Sequence, residues 1–138
     1  MIYQPQEPWR RRILRTKETA ENYAQHQAKN RAGKEAGETM PTCAICADTE
    51  AVLKEYTYWK VMKNAFPYDR YFTKSDMLVL KRCGNETNIT AEERAELIRV
   101  KESLSETYDH ILENLPKQSS IPHHFHVHLI TFKKPPEE

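Results

Sequence analysis

His124-Phe125-His126-Val127-His128-Leu129-Ile130 alternates imidazole with hydrophobic side chains. Side chains on a strand point alternately to opposite faces, so His124, His126 and His128 share one face and Phe125, Val127 and Leu129 the other. Four of the six histidines fall between positions 123 and 128. An imidazole row is a costly way to make a solvated face, since lysine, threonine or glutamate would serve. Buried, it needs three separate hydrogen-bond solutions. A coincidental histidine-rich edge is the plain alternative; a purification tag would not be interrupted by Phe125 and Val127. Histidine near neutral pH can carry a proton, ligate metal or attack phosphorus, and neighbouring imidazoles can divide those tasks.

Working outward, the strand is preceded by a polar loop, Lys117 to Pro122, with Gln118, Ser119 and Ser120. Before it, Thr90 and Glu93 form a capping box. Leu97, Ile98, Leu104, Tyr108, Ile111, Leu112 and Leu115 then recur at three- and four-residue intervals, which predicts one amphipathic helix ended by Pro116 and carrying His110. Met77 to Leu80 reads as a buried strand, and Phe66-Pro67-Tyr68-Asp69 as a loop. Ala51 to Tyr56 and Tyr58 to Asn64 read as two further strands. The order predicts an α+β fold, an antiparallel sheet with one main packed helix plus an N-terminal polar helix.

That polar helix is expected over Thr16 to Glu38, where Ala20, Ala24, Ala28, Ala32 and Ala36 form a thin ridge suited to the surface or to a partner subunit. Met1 to Arg15 reads as an irregular arm: Pro5 and Pro8 oppose a helix, and Trp9, Ile13 and Leu14 offer anchors. Arg10, Arg11, Arg12 and Arg15 are either a solvated cluster or a phosphate contact. His26 reads as a surface residue and His123 as a strand-entry residue. The chain thus divides into an arm and helix (1–40), a folded domain (41–132) and a charged tail (133–138).

At 138 residues the chain is long enough for one domain and too short for two ordinary ones. Its 21 basic and 20 acidic residues leave a formal charge of +1, no general case for a polyanion or a membrane surface. No apolar run reaches the roughly 20 residues of a membrane helix. Three cysteines, an odd number, and an N-terminus without a secretory apolar core point to a reducing, cytoplasmic setting. The acceptor-like triplets at Asn85 and Asn88 are then better explained as turn and capping chemistry. With only three glycines there is no phosphate-cradling glycine loop, and no serine-histidine-aspartate set is visible.

The segment His124 to Ile130 resembles the histidine-triad signature, matching it at every position. The surroundings are similar to that superfamily over roughly Thr42 to Phe132: a Cys43-X-X-Cys46 pair, Asn64-Ala65-Phe66-Pro67, and Leu78-Val79-Leu80-Lys81-Arg82 before a capped helix. The resemblance implies a nucleotide hydrolase or nucleotidyl transferase acting at the α-phosphate of a nucleoside phosphoramidate or (di)nucleoside polyphosphate. In such a reaction His126 would be the nucleophile, forming a nucleotidyl-histidine intermediate. His128 would bond the phosphate or leaving group. Gln118, Ser119 and Ser120 would reach the phosphate and Asn64 the ribose or phosphate edge, beside an apolar base pocket around Val61 to Phe66. A homodimer sharing a sheet and a small nucleotide substrate are implied as partners, with nucleic acid less favoured. The usual glycine-histidine before the apolar strand is absent; Arg70 to Asp76 is expected as a longer, charged loop in its place.

In zinc-binding relatives a histidine after the basic strand end and the first triad histidine complete the cysteine pair. Here Cys83 stands where the former is expected. The resemblance therefore implies a closed structural Zn2+ site of Cys43, Cys46, Cys83 and His124, with no organic cofactor. Three thiols packing as small hydrophobes is the alternative. Two other functions compete: a zinc-braced nucleotide-binding module with little turnover, and a nucleic-acid 5′-end deadenylating enzyme gripping phosphates with its arginine-rich arm.

Overall fold

The computed structural model describes residues 13–35, 43–47, 51–115 and 123–134. Among these, helix α1 (Lys17–Glu35) and a short α2 (Ala44–Ala47) precede strands β1 (Val52–Glu55), β2 (Trp59–Lys63) and β3 (Phe72–Leu80). Helix α3 (Ala91–Leu104), β4 (His110–Leu112) and β5 (His126–Phe132) follow. The strands form one antiparallel sheet in the order β1-β2-β3-β5-β4. This is an α+β fold, as expected.

Period-two alternation gives the sheet two working faces. Trp59, Val61, Leu78, Leu80, Val127 and Leu129 point one way and bury against Leu97, Val100 and Leu104 of α3 and against Tyr108. The Trp59 indole N–H donates to the Glu93 carbonyl at 2.8 Å, so the largest core side chain also satisfies its polar edge. The capping box at Thr90 and Glu93 is formed. Arg82 adds two bonds to the Glu93 carboxylate, at 2.7 and 2.8 Å, tying the end of β3 to the start of α3. Asn85 caps the short turn at Glu86–Asn88, the local role expected for it.

Helix α3 does not extend to Pro116 as the apolar spacing predicts. It ends at Leu104, and the Ser105 hydroxyl bonds the Glu102 carbonyl. The Asp109 N–H then donates to the Ile130 carbonyl, starting a new strand pairing in which Ile111 faces Leu129 and Leu112 faces His128. The second half of the apolar series, His110 included, therefore lies on an edge strand. That strand satisfies the outer backbone groups of β5, a non-local gain that helical continuation would forfeit. The series misleads in the first half too: Leu97 is buried and Ile98 is 60% exposed. Strand β3 also begins earlier than expected, at Phe72, so most of the anticipated 70–76 loop is paired.

Helix α1 starts one residue after Thr16. Along the alanine ridge Ala20 is buried, while Ala24 and Ala28 are exposed. Ala36, the arm before Ile13 and the tail from residue 135 lie outside the described residues.

Candidate active site and metal centre

The sheet face opposite α3 carries the histidines. Val79 pairs with His126 and Met77 with His128, so both imidazoles rise among apolar neighbours. On one side of them lies a cluster of Cys43, Ile45, Met62 and Val79; on the other, a cluster of Tyr68, Phe72 and Ile130. His124 precedes the strand proper and is 1% exposed. Two backbone bonds anchor this entry: the Leu80 N–H to the Phe125 carbonyl, and the Phe125 N–H to the Gly84 carbonyl. They hold the segment carrying Cys83 against the start of the histidine row.

His124 bonds the Leu80 carbonyl through Nε2. A carbonyl only accepts, so Nε2 carries the proton and Nδ1 presents its lone pair. That lone pair lies 3.2 Å from Cys43 Sγ and 3.4 Å from Cys46 Sγ. With Cys83 the four ligand atoms fall within 4.8 Å of one another. Tetrahedral coordination with metal–sulfur bonds of about 2.3 Å would set ligand atoms roughly 3.5–3.8 Å apart. The Cys46 N–H donates to Cys43 Sγ at 3.5 Å, and the histidine is oriented through its other nitrogen; both are supports that metal sites use. Cys43, Cys46, Cys83 and His124 could therefore hold a metal ion. Desolvation, then hydrogen bonding and charge from Cys43, push the Cys46 thiol up to about 11, so that thiol does not readily ionise unless a cation joins it.

His126 Nδ1 lies 2.8 Å from the His124 carbonyl oxygen, which by the same reasoning assigns the proton to Nδ1 and leaves the lone pair on Nε2. Burial lowers His126 below the ordinary histidine range. Its neighbour His128 is 5% exposed. Burial, then the charges of His126 and Arg15, push it down to about 3, so it is neutral at physiological pH. The two rings meet edge-on, with centroids 5.7 Å apart. The arrangement offers one imidazole nitrogen with a free lone pair beside a second, neutral imidazole.

Asn64 follows β2 and is buried; its Oδ1 accepts the Phe66 N–H at 3.0 Å, and its Nδ2 has no hydrogen-bond partner among the described residues. Gln118, Ser119 and Ser120 lie outside the described residues. Two participants carry no sequence signal for this site. Tyr68, read only as a loop residue, places its hydroxyl 3.2 Å from His128 Nε2. Arg15, read as part of a basic arm, is 5% exposed, with its guanidinium over the Tyr68 ring. Both contacts join residues more than 50 positions apart, so no local pattern encodes them. His26 is exposed at the surface but packs on Phe66, ring centroids 5.0 Å apart.

No helix among the described residues is long and apolar enough to cross a membrane. No family model and no curated protein matches the chain. Among solved structures, the chain is similar to a histidine triad protein from Clostridium difficile, at 15% sequence identity and a TM-score of 0.49, over 72% of this chain and 100% of that one.

Proposed function

We propose that the protein is a nucleotide hydrolase or nucleotidyl transferase of the histidine-triad type, acting at the α-phosphate of a nucleoside phosphoramidate or (di)nucleoside polyphosphate. The observation that carries this reading is the His126 bond to the His124 carbonyl, which leaves Nε2 as an oriented, unprotonated nucleophile. His126 Nε2 attacks phosphorus, the bond to the leaving group breaks, and a nucleotidyl-histidine forms. Water or another acceptor then attacks the same phosphorus and frees His126. His128, neutral and beside it, donates a hydrogen bond to the phosphate or leaving group. Asn64 Nδ2 is a buried donor suited to a ribose or phosphate oxygen.

Zinc is the metal that three cysteines and one histidine suit best. Bound by Cys43, Cys46, Cys83 and His124, it would have no open position and would brace the start of the histidine strand. The reaction steps belong to His126 and His128. We further place the protein in the cytoplasm, as a homodimer. The test is incubation with adenosine phosphoramidate, diadenosine polyphosphates and a 5′-adenylated oligonucleotide, followed by mass analysis of the quenched protein. An adenylyl adduct on His126, absent from His126→Ala, is expected. Undiminished turnover by His126→Ala would refute the assignment. Binding of nucleotide without turnover would favour the binding-module reading.

A further inference from the structure

Helix α1 and the residues leading into it lie outside the region that carries the histidine-triad pattern, yet they reach the histidine site. The Arg15 Nε donates to the Phe66 carbonyl at 2.8 Å, and its guanidinium carbon lies 4.3 Å from the Tyr23 ring centroid and 4.6 Å from that of Tyr68. Thr16 and Thr19 bond the Asp69 carboxylate, and the Arg70 N–H donates to the Leu14 carbonyl. The chain on both sides of Arg15 is thereby fastened to the loop carrying Tyr68. A buried guanidinium is expensive to desolvate, and its planar form is what stacks on aromatic rings.

Tyr68 passes this placement on. Its ring lies 4.4 Å from the His128 ring, its N–H donates to Ser75 Oγ at 2.9 Å, and its oxygen accepts from Asn114 Nδ2 at 3.1 Å. A phenol has a single proton. With Asn114 donating to the oxygen, that proton is available for His128 Nε2 at 3.2 Å. His128 then carries its own proton on Nδ1, which is buried and has no hydrogen-bond partner among the described residues.

We infer that Arg15 is a positioning residue of the histidine site: stacked on Tyr68, it holds the phenol so that His128 accepts at Nε2 and presents its Nδ1–H to the phosphate of the substrate. The part concerning substrate rests on the function proposed above. The tautomer of His128 does not, so the two can fail separately. The charge of Arg15 acts in the same sense, disfavouring a second cation on His128.

The test uses the full chain with 15N-labelled histidine and two-bond 1H–15N spectra, which distinguish the tautomers directly. The wild type is expected to show His128 as a single Nδ1–H form. Arg15→Gln and Arg15→Lys should shift both nitrogen resonances toward the average of two tautomers, and Tyr68→Phe should do so fully. Against a turned-over nucleotide, Arg15→Gln should lower kcat by about 100-fold, the cost of a 1 Å misplacement, with KM changed less. A wild-type His128 in the Nε2–H form would overturn the inference, as would a folded Arg15→Gln with unchanged His128 resonances. Should Arg15→Gln not fold, Thr19→Ala loosens the same docking without touching the guanidinium, and unchanged His128 resonances there would overturn it equally. A wild type that turns over none of the nucleotides, yet shows the expected tautomer and its loss in Arg15→Gln, would sink the proposed function and leave the positioning role standing.

Discussion

The Thr19 hydroxyl donates to the Asp69 carboxylate at 2.6 Å across 50 residues of sequence. The Thr16 N–H adds a second bond at 2.8 Å, so a side chain from the β2–β3 loop caps the start of helix α1. Asp69→Ala is expected to cost about 2 kcal/mol, the range for hydrogen bonds to a charged group. Burial alone would raise the Asp69 carboxyl, but the bonds from Thr16 and Thr19 more than offset it and hold it below its ordinary value. A depressed carboxyl stabilises the fold above its unfolded pKa and loses that contribution as pH falls through the folded one. Urea unfolding should therefore show the gap between wild type and Asp69→Ala narrowing on acidification below about pH 4. A gap that widens would contradict the capping role.

His128 makes a separate pH prediction. Its folded pKa is pushed down to about 3 by burial, against an unfolded value of 6.5. The unfolded chain therefore binds a proton that the folded chain refuses between those limits. The stability this supplies is complete above pH 6.5 and is lost progressively as pH falls toward 3. His128→Asn should flatten that part of the stability profile, measured by thermal unfolding at constant ionic strength.

Neighbouring residues of α3 should answer very differently. Leu97 is 8% exposed in the main core and Ile98 is 60% exposed. Leu97→Ala should cost about 2–5 kcal/mol and Ile98→Ala less than about 0.5 kcal/mol. Equal costs in denaturant titrations would mean that α3 presents a different face to the sheet.

The thiol–imidazole cluster predicts stoichiometric zinc in protein purified under reducing conditions, read by elemental analysis. Free zinc at about 100 times Kd should stabilise the fold by about 2.7 kcal/mol. A chelator, or Cys83→Ala, should remove the gain. Metal-free wild type with an unchanged unfolding midpoint on zinc addition would reject the site.

How much of this was legible in the sequence depends on range. The alternation of His124 to Ile130 and the Thr90–Glu93 box were readable because each is a short-range relation between side chains. The four metal-competent residues were identified through resemblance, and the fold brings their ligand atoms within 4.8 Å. The end of α3 is not legible in the sequence because Tyr108, Ile111 and Leu112 fit helical spacing, and only the pairing with β5 makes them a turn and an edge strand.

The sequence by itself determined the face on which His126 and His128 stand, because period two is a property of any strand. Tertiary structure alone decided that Arg15 and Tyr68 would stand beside them. Arg15 is buried on Tyr68 because the Asp69 loop and α1 hold one another, and such mutual capping leaves no trace in the local order of residues.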